Sequence, residues 1–202
     1  MNRRVLLKDT GIAVAAASLF AVSAGQAQAQ TPGANVLVTY HSETGNTEKM
    51  AQGVAEGAKA VAGTNVVLKK VSEVTADDLL SATAVIVGSP IYFANVSGEV
   101  KTFLDNWRLK FGIMPGFKMR NKVGAAFVTG ASPSSGKETT ILAIMQAMLI
   151  NQMIAVSGGG GFGASATTGP DSPGIDEKEL ETARDLGKRV AEVAVVIRRG
   201  SA

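Results

Sequence analysis

Apolar runs alternate with helix-period segments along most of this chain. Short β-rich runs predict strands, while apolar positions spaced three and four residues apart predict helices between them. Alternation of strand and helix predicts a parallel α/β sheet. The predicted strands cover residues 36–40, 66–71, 84–87, 123–128 and 153–156. The predicted helices cover about 47–62, 76–80, 99–109 and 138–150, and a last helix begins at Asp176.

A hydroxyl- and glycine-rich loop separates the first strand from the first helix. Backbone N–H groups converge where a strand leads through a tight loop into a helix, and the helix dipole there favours an anion. The loop contains no Lys or Arg, so dipoles rather than counter-charges would hold that anion. The alternative is a polar turn with Thr47 as the helix N-cap. The loop residues are Ser42, Glu43, Thr44, Gly45, Asn46 and Thr47.

Two further loops should meet this one, because ligands of open α/β sheets bind outside the carboxyl ends of the strands. The loop after the third strand offers two aromatic side chains that could flank a flat ring; the alternative for both is core packing. The loop after the fourth strand is rich in small residues, which would let backbone groups approach the polar edge of such a ring. The predicted contacts are Pro90, Ile91, Tyr92 and Phe93 in the former, and Thr129, Gly130, Ala131, Ser132, Ser135 and Gly136 in the latter.

These segments carry a resemblance to a known superfamily. The pattern Ser42-x-Thr44-Gly45-x-Thr47 resembles the loop with which flavodoxins grip the terminal phosphate of FMN. Residues 88–93 (GSPIYF), 103–105 (FLD) and 136–142 (GKETTIL) resemble the WrbA-type branch, the tryptophan-repressor-binding-protein family of quinone reductases.

The resemblance implies a flavodoxin-like three-layer sandwich with a five-stranded parallel sheet in the order 2-1-3-4-5. It implies FMN as cofactor, and two-electron transfer from NAD(P)H to quinones by ping-pong kinetics through the flavin N5. No side chain is then expected to be catalytic and no metal is expected. The resemblance also implies a homo-oligomer, dimer or tetramer, and a substrate pocket lined by Phe111 and Phe162.

Three departures from the family pattern concern the electron donor and the assembly. Thr44 stands where the family usually has Tyr, and no His occurs near Ile150 and Asn151, where the family has one. Both differences lie where a nicotinamide would stack or be held. The segment between the second and third strands, residues 72–83, is shorter than in the family.

Composition narrows the function further. The net charge of +3 depends on the first 29 residues; without them 17 basic and 16 acidic residues remain, which does not indicate a nucleic-acid surface. Near-neutrality favours an enzyme over the alternative, an exported flavodoxin-like electron carrier, because such carriers are typically acidic. The absence of Cys excludes disulfides, thiol catalysis and iron–sulfur clusters, and a single His excludes a His-rich metal site.

The first 29 residues predict a signal peptide ahead of a domain spanning residues 30–202. Arg3, Arg4 and Lys8 form a positive segment, residues 11–24 are apolar, and Ala-Gln-Ala at 27–29 suits a signal peptidase. The paired arginines resemble the twin-arginine motif, which predicts export to the periplasm; the alternative is a general secretory signal. Cleavage of the segment and its retention as an anchor both remain open.

Overall fold

A computed structural model describes residues 33–158, 160–169 and 174–200. The predicted signal peptide lies outside the described residues. None of the described helices is both long and apolar enough to cross a membrane. In chain order the elements are β1 Ala34–Tyr40, α1 Asn46–Lys59, β2 Thr64–Lys70, α2 Ala76–Ser81, β3 Ala84–Tyr92, β4 Asn95–Val96, α3 Gly98–Leu109, β5 Val123–Gly130, α4 Lys137–Ile150, β6 Ile154–Ala155, β7 Ala164–Thr167 and α5 Glu177–Gly200.

The central sheet is parallel and has the order β2-β1-β3-β5-β6. This confirms the flavodoxin-like order 2-1-3-4-5, with β5 as the predicted fourth strand. Val36 pairs with Ala84 and Ala84 with Val123, so β1, β3 and β5 run side by side in one direction. The order reverses between β1 and β3, which is where ligands of this architecture bind.

The fifth position of the sheet is divided between two strands. β6 pairs with the start of β5, at Val123 and Gly124, whereas β7 pairs with its end, from Phe127 to Gly130. A run of four glycines after Ser157 separates the two, and glycine weakens a strand interior. The sequence analysis predicted only the first part, because the Ala-Ser-Ala-Thr sequence of β7 contains no large apolar residue.

Helices cover both faces of the sheet, so the three-layer arrangement is confirmed. On one face α1 and α5 pack closely, and a Cβ on Gly187 would lie 1.9 Å from the carbonyl oxygen of Val54. On the other face Trp107 is buried and meets Phe103 edge-to-face, with ring centroids 5.9 Å apart. Both cores reach the sheet's central strands, which fixes the positions of the loops at their ends.

Candidate functional site

The loops after β1, β3 and β5 meet at the carboxyl edge of the sheet, as predicted. The buried hydroxyls of Thr47 and Thr129 lie 2.8 Å apart in a hydrogen bond that joins the first loop to the end of β5. Ala94, in the second loop, contacts Gly136 so closely that a Cβ there would lie 2.9 Å from the Ala94 Cβ. The three loops therefore form one site.

The first loop presents the amino terminus of α1 without a side-chain cap. Gly45 is the N-cap residue, with φ 86°, and no side chain bonds to the first turn. Ser42 shapes the loop, because its Oγ accepts a hydrogen bond from the Gly45 N–H at 3.1 Å, and Thr44 Oγ1 accepts one from Asn46 Nδ2. The alternative prediction of Thr47 as the N-cap is wrong: Thr47 is a buried residue of the first turn.

Side-chain caps are present at the helices α2, α3 and α5, of which α3 also begins beside this site. Thr75 caps α2, and Ser97 caps α3 with an oxygen that accepts from the Val100 N–H. At α5 Asp176 and Glu179 form a capping box, since each side chain accepts a hydrogen bond from the other's backbone N–H. Among the described helices, only α1 and α4 begin at a left-handed glycine, Gly45 and Gly136, without a side-chain cap. Their free N–H groups and positive dipole ends are available to a ligand.

The second loop is a hairpin that holds aromatic side chains outward. Tyr92 pairs with Asn95 across a two-residue turn in which Phe93 has φ 51° and Ala94 φ 59°. Turns of this kind usually contain Asn or Gly, so Phe and Ala here store backbone strain. Tyr92 is 43% exposed and Phe93 is fully exposed, which makes the core-packing alternative wrong for both. An exposed aromatic on a strained turn indicates contact with a ligand.

Acidic groups surround the Tyr92 hydroxyl. Burial, together with the carboxylates of Glu43 and Glu99, raises the pKa of the Tyr92 phenol. The phenol is therefore protonated in neutral solution and can donate a hydrogen bond. The pKa of Glu99 is lowered, first by the bond from its own backbone N–H and also by His41. Sequence reasoning did not connect His41 or Glu99 with the site; the signal was the adjacency of His41 to Ser42 and of Glu99 to the end of the hairpin.

The third loop combines small residues with an unsatisfied hydroxyl. The Oγ of Ser135 is buried and has no hydrogen-bond partner. It lies against Gly130, where an added Cβ would come within 2.0 Å of it. Pro90 and Thr129 pair across β3 and β5 just behind this point. The remaining predicted contacts, Ile91, Ala131 and Ser132, stand at the same edge, Ile91 half-buried and the other two exposed.

The structure does not bring the two predicted pocket aromatics to this edge. Phe111 follows the end of α3, a helix that starts at the site and runs about 18 Å away from it at 1.5 Å per residue. Phe162 precedes β7, whose far end, Thr167, pairs with Gly130 at the site. Five residues separate Phe162 from Thr167, about 16 Å along an extended strand. Both side chains therefore lie near the opposite ends of elements that reach the site.

The largest of the described cavities, of about 550 Å³, lies beside the hairpin between α3 and α4. Its lining includes Asn95 and Val96 of the hairpin together with Leu104, Trp107 and Ile150. No residue of the first loop lines it. The phosphate-type site at α1 is therefore separate from this cavity.

The residues present fit FMN. An uncapped helix start with three hydroxyls suits the phosphate dianion, exposed aromatics suit the faces of the ring, and the unpaired Ser135 hydroxyl suits its polar edge. Fold and site together define a flavodoxin-like flavoprotein.

Comparison with known proteins also indicates a flavodoxin-like flavoprotein. The family model for NADPH-dependent FMN reductase matches residues 69–167. The NAD(P)H dehydrogenase (quinone) of Chromohalobacter salexigens is 31% identical over 196 residues, covering 79% of this chain and 96% of that protein. The crystal structure of a WrbA-like flavodoxin protein from Agrobacterium tumefaciens superposes with a TM-score of 0.68, at 30% identity, covering 80% of this chain and 98% of that one.

An iron–sulfur flavoprotein of Methanocaldococcus jannaschii is 40% identical over 141 residues, covering 66% of this chain. The chain spans 65% of that relative's length, and it contains no cysteine. The chain belongs to the flavodoxin-like family of FMN-dependent NAD(P)H oxidoreductases that these relatives represent, and its cofactor is FMN.

Replacement of Thr47 by Val should weaken FMN binding. The Thr47 and Thr129 hydroxyls carry two hydrogens and use one of them in their mutual bond, so the other can be donated to a phosphate oxygen. We expect the dissociation constant for FMN to rise about 5- to 30-fold, equivalent to ~1–2 kcal/mol, in a fluorescence titration. Thr182→Val, which removes a hydroxyl that bonds within α5, is the control. Equal affinities for Thr47→Val and the unsubstituted protein would contradict the assignment.

The substitution Phe93→Gly should make the flavin-free protein more stable but weaken its binding of FMN. Glycine adopts a positive φ freely, so we expect the free energy of unfolding of the flavin-free protein to rise by ~1 kcal/mol in urea denaturation. Loss of the ring should weaken FMN binding by ~0.5–1.5 kcal/mol. Gln152→Gly relieves a similar φ of 59° just after α4 and should leave FMN affinity unchanged. A Phe93→Gly protein that binds FMN as before would show that the ring does not contact the cofactor.

Proposed function

We propose that this protein is an FMN-dependent quinone reductase that takes two electrons from NAD(P)H. The observation that carries the proposal is the hairpin of Tyr92 and Phe93, whose rings stand exposed beside the predicted phosphate site and leave a surface on which planar molecules can stack. The printed name of the Chromohalobacter relative, which this chain covers almost completely, supports the same reaction. FMN supplies the redox chemistry, accepting and releasing hydride at N5.

The chain's own contribution is binding and orientation. The start of α1 would hold the phosphate of FMN, and residues of the third loop would hold the polar edge of its ring. The protonated Tyr92 phenol can donate a hydrogen bond to a bound carbonyl or ring. Donor and acceptor would use the same open face one after the other, because the described residues offer one aromatic hairpin at this edge. Such alternation produces ping-pong kinetics.

We also propose that NAD(P)H, although it reduces the flavin, is a poor electron donor for this chain. Thr44 occupies the position of the family's loop tyrosine, and the Ile150–Asn151 position lacks the family's histidine, so two nicotinamide contacts are missing. Stacking on the flavin alone can still support a slow reaction.

Stopped-flow reduction of the bound flavin tests the proposed donor. We expect reduction by NADH and NADPH to saturate only above about 0.1 mM, toward the upper end of ordinary enzyme KM values. Thr44→Tyr should lower that half-saturating concentration, whereas Thr182→Val should not change it. Saturation at low micromolar nicotinamide in the unsubstituted protein would contradict the proposal. Reduced protein that does not pass electrons to a benzoquinone would favour the electron-carrier alternative.

We further propose that the protein is exported through the twin-arginine pathway, on the basis of Arg3, Arg4 and the Ala-Gln-Ala sequence at 27–29. Replacement of both arginines by Lys should leave the precursor in the cytoplasm, because that pathway recognises the arginine pair. Fractionation and immunoblotting measure the distribution, with a general secretory reporter as control. Normal appearance of the protein outside the inner membrane would contradict this route.

A further inference from the structure

A histidine and two glutamates converge beside the flavin site, from two separate parts of the chain. His41 follows β1, Glu43 lies in the first loop, and Glu99 lies in the first turn of α3. His41 Nε2 is 3.2 Å from a carboxylate oxygen of Glu43 and 3.4 Å from one of Glu99. One ligating atom from each of the three residues lies within 4.8 Å of the other two.

The histidine nitrogen in this cluster is buried and makes no hydrogen bond. Nε2 of His41 has no contact with solvent and makes no hydrogen bond, although two carboxylates adjoin it. The His41 side chain is only 14% exposed, whereas Glu43 and Glu99 are 66% and 53% exposed. Nε2 lies at ion-pair distance from both carboxylates, but it makes no aligned hydrogen bond to either, so an ion that binds all three groups would satisfy them together.

The distances are compatible with a shared metal ion as well as with ion pairs. Zn²⁺ binds His nitrogen and carboxylate oxygen at about 2.0–2.2 Å, which separates neighbouring ligands of a tetrahedral site by roughly 3.3–3.5 Å. The two nitrogen–oxygen distances match that spacing. We propose that His41, Glu43 and Glu99 bind a divalent transition metal of the zinc class, with water completing the coordination.

The fold fixes the position of His41, whereas the side chains of Glu43 and Glu99 can move toward an ion. The His41 N–H donates to the Gly88 carbonyl oxygen on β3 at 3.2 Å, so the sheet holds its backbone. Glu43 and Glu99 extend from the loop and helix on either side and can adjust around an ion. The metal would then connect the phosphate loop to the start of α3. The site also accounts for Glu43, whose carboxylate would repel a phosphate dianion if it contacted one.

The single histidine of the chain makes the test direct. Tag-free protein, with and without FMN, is titrated with ZnCl₂ by calorimetry, and the imidazole nitrogens are followed by long-range ¹H–¹⁵N NMR. We expect binding of one Zn²⁺ per chain, a large shift of the His41 Nε2 resonance, and a rise in Tm with zinc concentration. Since flavin-free protein is included, the outcome does not depend on the proposed quinone reduction.

Three variants identify the ligands. His41→Gln, Glu43→Gln and Glu99→Gln should each lower zinc affinity at least about tenfold, the lower end of what even outer-shell partners contribute. Glu138→Gln removes a first-turn carboxylate from α4 in the same way as Glu99→Gln does from α3, and should bind zinc normally. Absence of stoichiometric binding, an unmoved His41 resonance, or equal affinity in the ligand variants and the control would overturn the proposal.

Discussion

Parallel pairing of β1, β3 and β5 is the constraint on which the site depends. Because the three strands run in the same direction and in continuous register, their carboxyl ends fall along one edge. The loops that follow these strands differ in their side chains but all begin at this edge of the sheet. The hydrogen bond between Thr47 and Thr129 and the contact between Ala94 and Gly136 follow from that placement, and they connect loops far apart in sequence.

The site is also where the chain leaves its local interactions incomplete. The helices α2, α3 and α5 have side-chain caps, whereas α1 and α4 begin at Gly45 and Gly136 without one. The Phe93–Ala94 turn keeps a strained backbone, and Ser135 keeps a buried hydroxyl without a partner. Each of these features lowers the stability of the empty protein, and a ligand bound at this edge would offset part of that cost. Their coincidence at one edge is stronger support for a cofactor site than any one of them.

Periodicity was sufficient to predict most of the strands and helices and the three loops between them, because large apolar residues mark the buried strands and helix faces. It failed at β7, whose small residues carry no such mark. The sheet order came from the resemblance to flavodoxins. The resemblance implied that Phe111 and Phe162 line a pocket, but a match to a family pattern gives no distance to the site. Phe111 follows a helix that runs away from the site, and Phe162 precedes the strand that leads to it. The approach of His41 to Glu99 was also beyond prediction, since it depends on the tertiary placement of α3 and not on any local spacing.

The FMN phosphate and the proposed metal ion should affect each other's binding through their charges. The first loop offers no cationic side chain to a phosphate dianion, and Lys49, the first lysine of α1, donates instead to the Ile175 carbonyl oxygen. Glu43 and Glu99 add negative charge next to the same loop, which opposes anion binding. A divalent cation held by these carboxylates would reverse that local field and restrain the loop. Metal and phosphate would then favour each other's binding, and by linkage the effect must be equal in both directions.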